Sequence, residues 1–190
     1  MNSEICLSAI KKDFESVVCS IYYDDWVNGG LVQKCKQRGL DVISGARSDD
    51  KNSLFRIRTL LDQFEYVSSN TVGSHILYAA HSGCKVQISN PMYSYDHYYK
   101  IFRQDPFFQK FPHLYEAFSN AYDEKNLKKW FPFLFVDHPK KATLNIEWAR
   151  SEICIDNILQ KDEIEELLGW TFKTKSKAIV RALKRRVNLF

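Results

Sequence analysis

From Ser16 to Pro91 the chain sets short β-branched and aromatic runs against segments whose apolar residues recur at three- and four-residue spacing. Ser16-Val17-Val18-Cys19-Ser20-Ile21-Tyr22-Tyr23 predicts a buried strand, since such side chains suit a pleated surface. Asn28-Gly29-Gly30 signals a turn. Leu31 to Arg38 predicts a short helix stopped by Gly39, whose missing Cβ suits a left-handed C′ position. Leu40 to Ser44 predicts a second strand, ended at Gly45. Leu54, Ile57, Leu60 and Leu61 fall on one helical face, and Asp62-Gln63 closes that helix before a third strand, Phe64 to Ser68. The polar loop Ser69-Asn70-Thr71-Val72-Gly73 leads into a helix through His75, Ile76, Leu77, Ala79 and Ala80. Gly83 caps it, and Lys85-Val86-Gln87-Ile88 predicts a fourth strand, ended by Asn90-Pro91.

Strands thus recur roughly every 22–24 residues with a helix between them, which is long enough for parallel crossovers. Right-handed crossovers would put the helices on both faces of a parallel sheet. After Pro91 the pattern weakens. Tyr93 to Phe111 is aromatic and broken by Pro106 and Pro112. Leu114 to Tyr122 reads as a helix, Leu127 to Phe135 alternates poorly, and Asp162 to Leu168 reads as a helix with Asp162 as N-cap. Ser176 to Leu189 places Ile179, Ala182, Leu183 and Val187 near one helical face and cations on the other. The expected fold class is α/β: a single Rossmann-like three-layer domain with a parallel sheet over residues 16–150. An N-terminal helix or arm (1–15) precedes it, and C-terminal helices with a basic tail (151–190) follow.

Composition narrows the setting. A 45% hydrophobic and 26% charged chain of 190 residues can bury one core. No run approaches the roughly 18 apolar residues of a spanning helix, and Met1 to Phe14 has acids and no apolar h-region, so it does not read as a signal peptide. The expected location is the cytoplasm. Five scattered cysteines (Cys6, Cys19, Cys35, Cys84, Cys154) form no C-x-x-C pair and read as reduced thiols. The net charge of +4 is concentrated: Lys173, Lys175, Lys177, Arg181, Lys184, Arg185 and Arg186 stand in one stretch without an acid, and the remainder is slightly acidic. Nucleic acid is not an expected partner. The basic stretch 173–186 suits either an anionic membrane surface, peripheral to the inner membrane, or a solvated helix face.

The most informative stretch chemically is Ser68-Ser69-Asn70-Thr71-Val72-Gly73-Ser74-His75. It follows a predicted strand and opens a helix, at the sheet edge where open α/β folds bind ligands. A helix N-terminus offers unpaired N–H groups and partial positive charge, which suit phosphate. Gly73 would let backbone approach the ligand, while Thr71, Ser74 and His75 add side-chain donors. The plainer alternative is a polar turn whose Ser or Thr caps the helix.

The stretch from Phe64 to His75, continued through Ala79-Ala80-His81-Ser82-Gly83-Cys84-Lys85-Val86, resembles the donor-site signature of GT-B glycosyltransferases, especially those of bacterial capsule and lipopolysaccharide assembly. The resemblance covers roughly residues 16–90. It implies a nucleotide-sugar donor bound at Ser69, Asn70, Thr71, Gly73, Ser74 and His75, with the phosphates near the last three, and no further cofactor. Two departures stand out. Where many members of the family place a Glu to hold the ribose, this chain has Tyr78. The family also has two Rossmann-like domains and this chain has room for one. The resemblance therefore implies half an enzyme, either truncated or working with a partner chain that supplies the acceptor domain and the catalytic base.

Other candidates are weaker. Arg47 follows the second strand and could grip a donor phosphate, or stand solvated near Asp49 and Asp50. The pairs Asp24-Asp25 and Asp49-Asp50 read as turn acids rather than metal ligands. His138-Pro139 shares two residues with the His-Pro motif of bacterial sialyltransferases and reads more simply as a surface His before a turn. His81 and His97 read as helix-surface and loop residues, and His113 has no identifiable partner. No Walker or G-x-G-x-x-G sequence occurs. Three functions fit: a donor-binding glycosyltransferase module, a non-catalytic nucleotide-binding remnant, and a flavodoxin-like or regulatory domain. The last lacks a phosphate loop after the first strand.

Overall fold

The structure, a computed structural model, describes residues 11–47, 49–168 and 170. Cys6, Ser48, the start of the expected N-terminal arm, and the basic stretch with its expected helix lie outside the described residues. The chain divides into two compact units between Glu152 and Ile153.

All four predicted strands form: β1 (Val18–Ile21), β2 (Asp41–Ser44), β3 (Tyr66–Ser69) and β4 (Lys85–Ile88). The first is shorter than its apolar run, because Tyr23 already opens a helix, α1 (Tyr23–Asn28). Gly29, in the left-handed region at φ 75°, joins α1 to α2 (Gly30–Gln37). Gly39 takes the left-handed cap position at φ 68°. Between β2 and β3 runs α3 (Ser53–Leu61), and between β3 and β4 runs α4 (Ser74–His81), ended by Gly83 at φ 89°.

β1 pairs with β2 and β3 with β4, both in parallel, with Val18 opposite Asp41 and Tyr66 opposite Lys85. The expected single parallel sheet is instead two two-stranded sheets among the described residues. Each pair has its own core. Ile21, Cys35 and Leu40 pack beside β1 and β2. Ile76, Ala79, Ala80, Cys84, Val86, Ile88, Leu134 and Ala149 pack around β4. In β1 only Ile21 is fully buried, whereas Val86, Gln87 and Ile88 of β4 all are. The molecule is thus mixed α/β with short parallel ladders.

The second core is well supplied with anchors. The Cys84 thiol donates toward the carbonyls of Leu61 and Phe64, at 3.4 and 3.2 Å, which fastens the corner between α3 and β3. Gln87 is 3% exposed. Its amide satisfies itself by donating to Val136 O at 2.9 Å and accepting from Ser68 Oγ at 2.5 Å, as a buried amide must.

After β4 the chain is helical: α5 (Asp96–Gln104), α6 (Pro106–Lys110), α7 (Pro112–Ala121), α8 (Glu124–Trp130) and α9 (Ile146–Glu152). Pro106 and Pro112 sit in the first turn of α6 and α7, where the missing N–H costs nothing. The poorly alternating 127–135 segment splits into α8 and a 3-10 turn, Pro132–Leu134, whose Leu134 is fully buried. In the second unit, α10 (Lys161–Leu167) begins one residue before Asp162. Its cap is Gln160, whose backbone N–H donates to Glu163 at 2.6 Å, so Asp162 lies in the first turn rather than at the cap. No helix among the described residues is long and apolar enough to cross a membrane.

Candidate functional site

The loop from Ser69 to His75 lies where expected, between the end of β3 and the start of α4. Its fold follows from one hydroxyl. Ser69 Oγ accepts the Thr71 N–H at 3.2 Å, lies 3.0 Å from Thr71 O, and lies 3.0 Å from His75 Nε2. A serine carries a single proton. When that proton goes to Thr71 O, His75 must donate from Nε2, which leaves Nδ1 as an acceptor at the mouth of the helix.

Gly73 is the N-cap of α4, with extended backbone (φ −171°, ψ −175°), and no side chain caps the helix. Ile76 N donates back to Gly73 O at 3.0 Å, and the two N–H groups before it, those of Ser74 and His75, are the ones a helix start leaves for solvent or a ligand. A Cβ on Gly73 would come within 3.2 Å of His75 Nδ1. The glycine therefore serves a close approach, and positive φ has no part in it. Ser74 and the His75 ring are exposed. Crowding by neighbouring atoms still holds the His75 pKa below its ordinary value, partly countered by the backbone at Thr71. At neutral pH the imidazole is neutral and acts as a hydrogen-bond group. Tyr78, one turn further along α4, is half-buried.

The far side of the loop is attached to the segment after β4. Tyr93 N donates to Asn70 O at 2.7 Å, and the Thr71 and Tyr95 hydroxyls are hydrogen-bonded. Here Asn70 and Thr71 form one wall of an open groove of about 440 Å³. Tyr93, Tyr95 and Tyr98 continue it, and Phe102 with Phe118 closes it. The rings brace each other: Tyr95 to Tyr122 at 4.9 Å, Tyr122 to Phe118 at 4.8 Å, Phe118 to Phe102 at 5.2 Å between centroids. The aromatic richness of this stretch is legible in the sequence, and the groove is not. The available signal was Tyr95, Tyr98, Tyr99 and Phe102 at helical spacing.

Other candidates are engaged elsewhere. The Arg47 fork is taken by Asp49, Nε to Oδ1 at 2.8 Å and Nη2 to Oδ2 at 2.5 Å, and lies over the Tyr23 ring at 4.9 Å. That pairing raises the Arg47 pKa and lowers that of Asp49. Both side chains are exposed, so the pair is weak and exchangeable. Asp50 accepts the Asn52 N–H, and Asp24 and Asp25 lie in the first turn of α1. Among the described residues no three His, Cys, Asp or Glu side chains group to hold a metal ion.

His138 uses both ring nitrogens: Nδ1 accepts the Lys140 N–H at 3.2 Å, and Nε2 lies 3.1 Å from Asp13 Oδ2. Its ring stacks on Phe14, which in turn touches Tyr66, the first residue of β3. The candidate loop leaves from the last residue of that strand. His97 lies in α5 rather than in a loop. His81 ends α4, with Nδ1 buried and without a hydrogen-bond partner.

Compared with known proteins, the chain matches no family model, no curated protein and no solved structure.

Proposed function

We propose that the chain is the donor-binding unit of a GT-B-type glycosyltransferase for bacterial surface polysaccharide, built on a Rossmann-like plan, with a nucleotide sugar as its substrate. The observation that carries this reading is the uncapped N-terminus of α4 following a parallel strand, with Gly73 extended and Ser69 holding the His75 ring beside it. Such an end favours a phosphate through its free N–H groups and partial charge.

In the proposed reaction the sugar passes directly from donor to acceptor. The α4 N-terminus and Ser74 stabilise the negative charge that grows on the departing nucleotide phosphate, joined by His75 in the tautomer whose Nε2 accepts from Ser69 Oγ and whose Nδ1 carries the proton. The acceptor and its base come from a second domain or chain. Residues 173–186 would hold the assembly at an anionic membrane surface.

Calorimetric titration with UDP, GDP, CMP and their sugar conjugates tests the reading. Saturable binding of one nucleotide, weakened by His75→Ala, supports it. No binding at millimolar nucleotide sinks it. Tyr78, standing where the resemblance places a ribose-binding Glu, favours a second reading in which the chain binds nucleotide without turnover. Binding without sugar transfer or donor hydrolysis, even beside an acceptor-binding chain, would select that reading.

A further inference from the structure

The groove beside the loop has no part in the phosphate chemistry, yet it is built from the same loop. Asn70 and Thr71 line it, and Gly73 and Ser74 open the helix two to three residues later. Three residues of extended chain span at most about 11 Å. A ligand held by phosphate at the α4 N-terminus therefore reaches the groove within roughly the length of one nucleoside.

The walls are aromatic, and Tyr93 and Tyr98 are 46% and 43% exposed, so their ring surfaces are open to a ligand. At about 440 Å³ the volume lies within the range of small-molecule sites. Besides the tyrosine hydroxyls, the polar groups of the lining are the Asn70 amide and the Thr71 hydroxyl, the latter bonded to Tyr95. That combination suits a flat π ring with a polar edge, which stacks on aromatic faces with little regard to its identity. Resting on the donor-site reading above, we propose that the groove binds the nucleobase of the nucleotide, stacked against Tyr98 and Tyr93, with Asn70 at the base edge.

The test measures the affinity of the full chain for UDP, GDP, ADP and inorganic pyrophosphate, with Tyr98→Ala and Tyr93→Ala variants beside His75→Ala. Both tyrosines are exposed enough for truncation to leave the fold intact, and the thermal midpoint checks this. The expected result is about tenfold weaker nucleoside diphosphate binding in Tyr98→Ala, with pyrophosphate binding unchanged. His75→Ala should weaken both. If His75→Ala weakens nucleotide binding while the tyrosine variants bind as wild type, the base lies elsewhere and only the donor-site reading survives. If a sugar conjugate loses affinity in Tyr98→Ala but the free diphosphate does not, the groove holds the sugar and the proposal fails. Absence of binding by every nucleotide removes the donor-site reading and this inference together.

Discussion

The hydroxyls of Thr71 and Tyr95, 24 residues apart, are hydrogen-bonded to each other, and this joins the loop after β3 to the aromatic segment after β4. Thr71 N is in turn bonded to Ser69 Oγ, and Ser69 Oγ contacts His75. One chain of contacts therefore runs from the helix mouth to the groove. A double-mutant cycle of Thr71→Val and Tyr95→Phe should show a coupling of about 0.5–1.5 kcal/mol in unfolding free energy. Additive losses would mean the two hydroxyls do not interact in solution.

Gly73→Ala tests the close approach at the helix mouth. Its backbone is extended, which any residue adopts, so the cost is contact alone: the new methyl meets the His75 ring at 3.2–3.3 Å. The expected outcome is a small change in thermal midpoint, a displaced His75, and nucleotide binding weakened several-fold. Wild-type affinity in Gly73→Ala would show that the His75 position does not matter to the ligand.

The depressed pKa of His75 fixes the sign of a pH effect. Protonation favours the unfolded chain, so the stabilising contribution of the neutral ring is complete above the unfolded-state value, ordinarily 6.5. It is lost as pH falls through the lower folded value. The stability difference between wild type and His75→Gln, from urea unfolding, should hold constant above pH 7.5 and shrink below about 6.5. The other four histidines cancel in that difference. A difference that stays level to pH 5 would mean the ring is not desolvated.

Trp148 packs against Phe131 at 5.5 Å and Phe133 at 5.2 Å, and its buried indole N–H has no hydrogen-bond partner. Replacing it by Phe keeps an aromatic ring and removes an unsatisfied donor, so Trp148→Phe should change stability by no more than about 1 kcal/mol. Trp148→Ala should cost about 3–5 kcal/mol, because a cavity opens beside the core. Equal losses in the two variants would assign the indole nitrogen a role in stability.

Cys19 and Cys35 have sulfurs 3.8 Å apart, and burial, reinforced by Cys35, pushes the Cys19 pKa up to about 12. Burial also raises the pKa of Cys84, whereas Cys154 is exposed. A thiol reacts as its thiolate. With iodoacetamide at pH 8, peptide mapping should find Cys154 labelled well before Cys19, Cys35 or Cys84. Early labelling at Cys19 would contradict its burial.

Much of the fold was legible along the chain because its signals are local. β-branched runs marked all four strands, Lys85–Ile88 to the residue. Gly39 and Gly83 marked helix ends because only glycine takes the left-handed backbone there at little cost. The loop from Ser69 to His75 was legible for the same reason, as a polar strand-to-helix junction. The tertiary structure decided which groups meet. Four strands of like spacing do not state whether a ladder joins their two pairs, and the burial of β1 shows it half-open where a central strand would be covered. Arg47 was a phosphate candidate by position, but Asp49, two residues on, holds its fork. The groove was invisible because Asn70, Tyr95 and Phe118 are far apart in the chain. Periodicity and turn chemistry act over a few neighbouring residues, whereas hydrogen-bond partners and cavity walls depend on how separate segments pack.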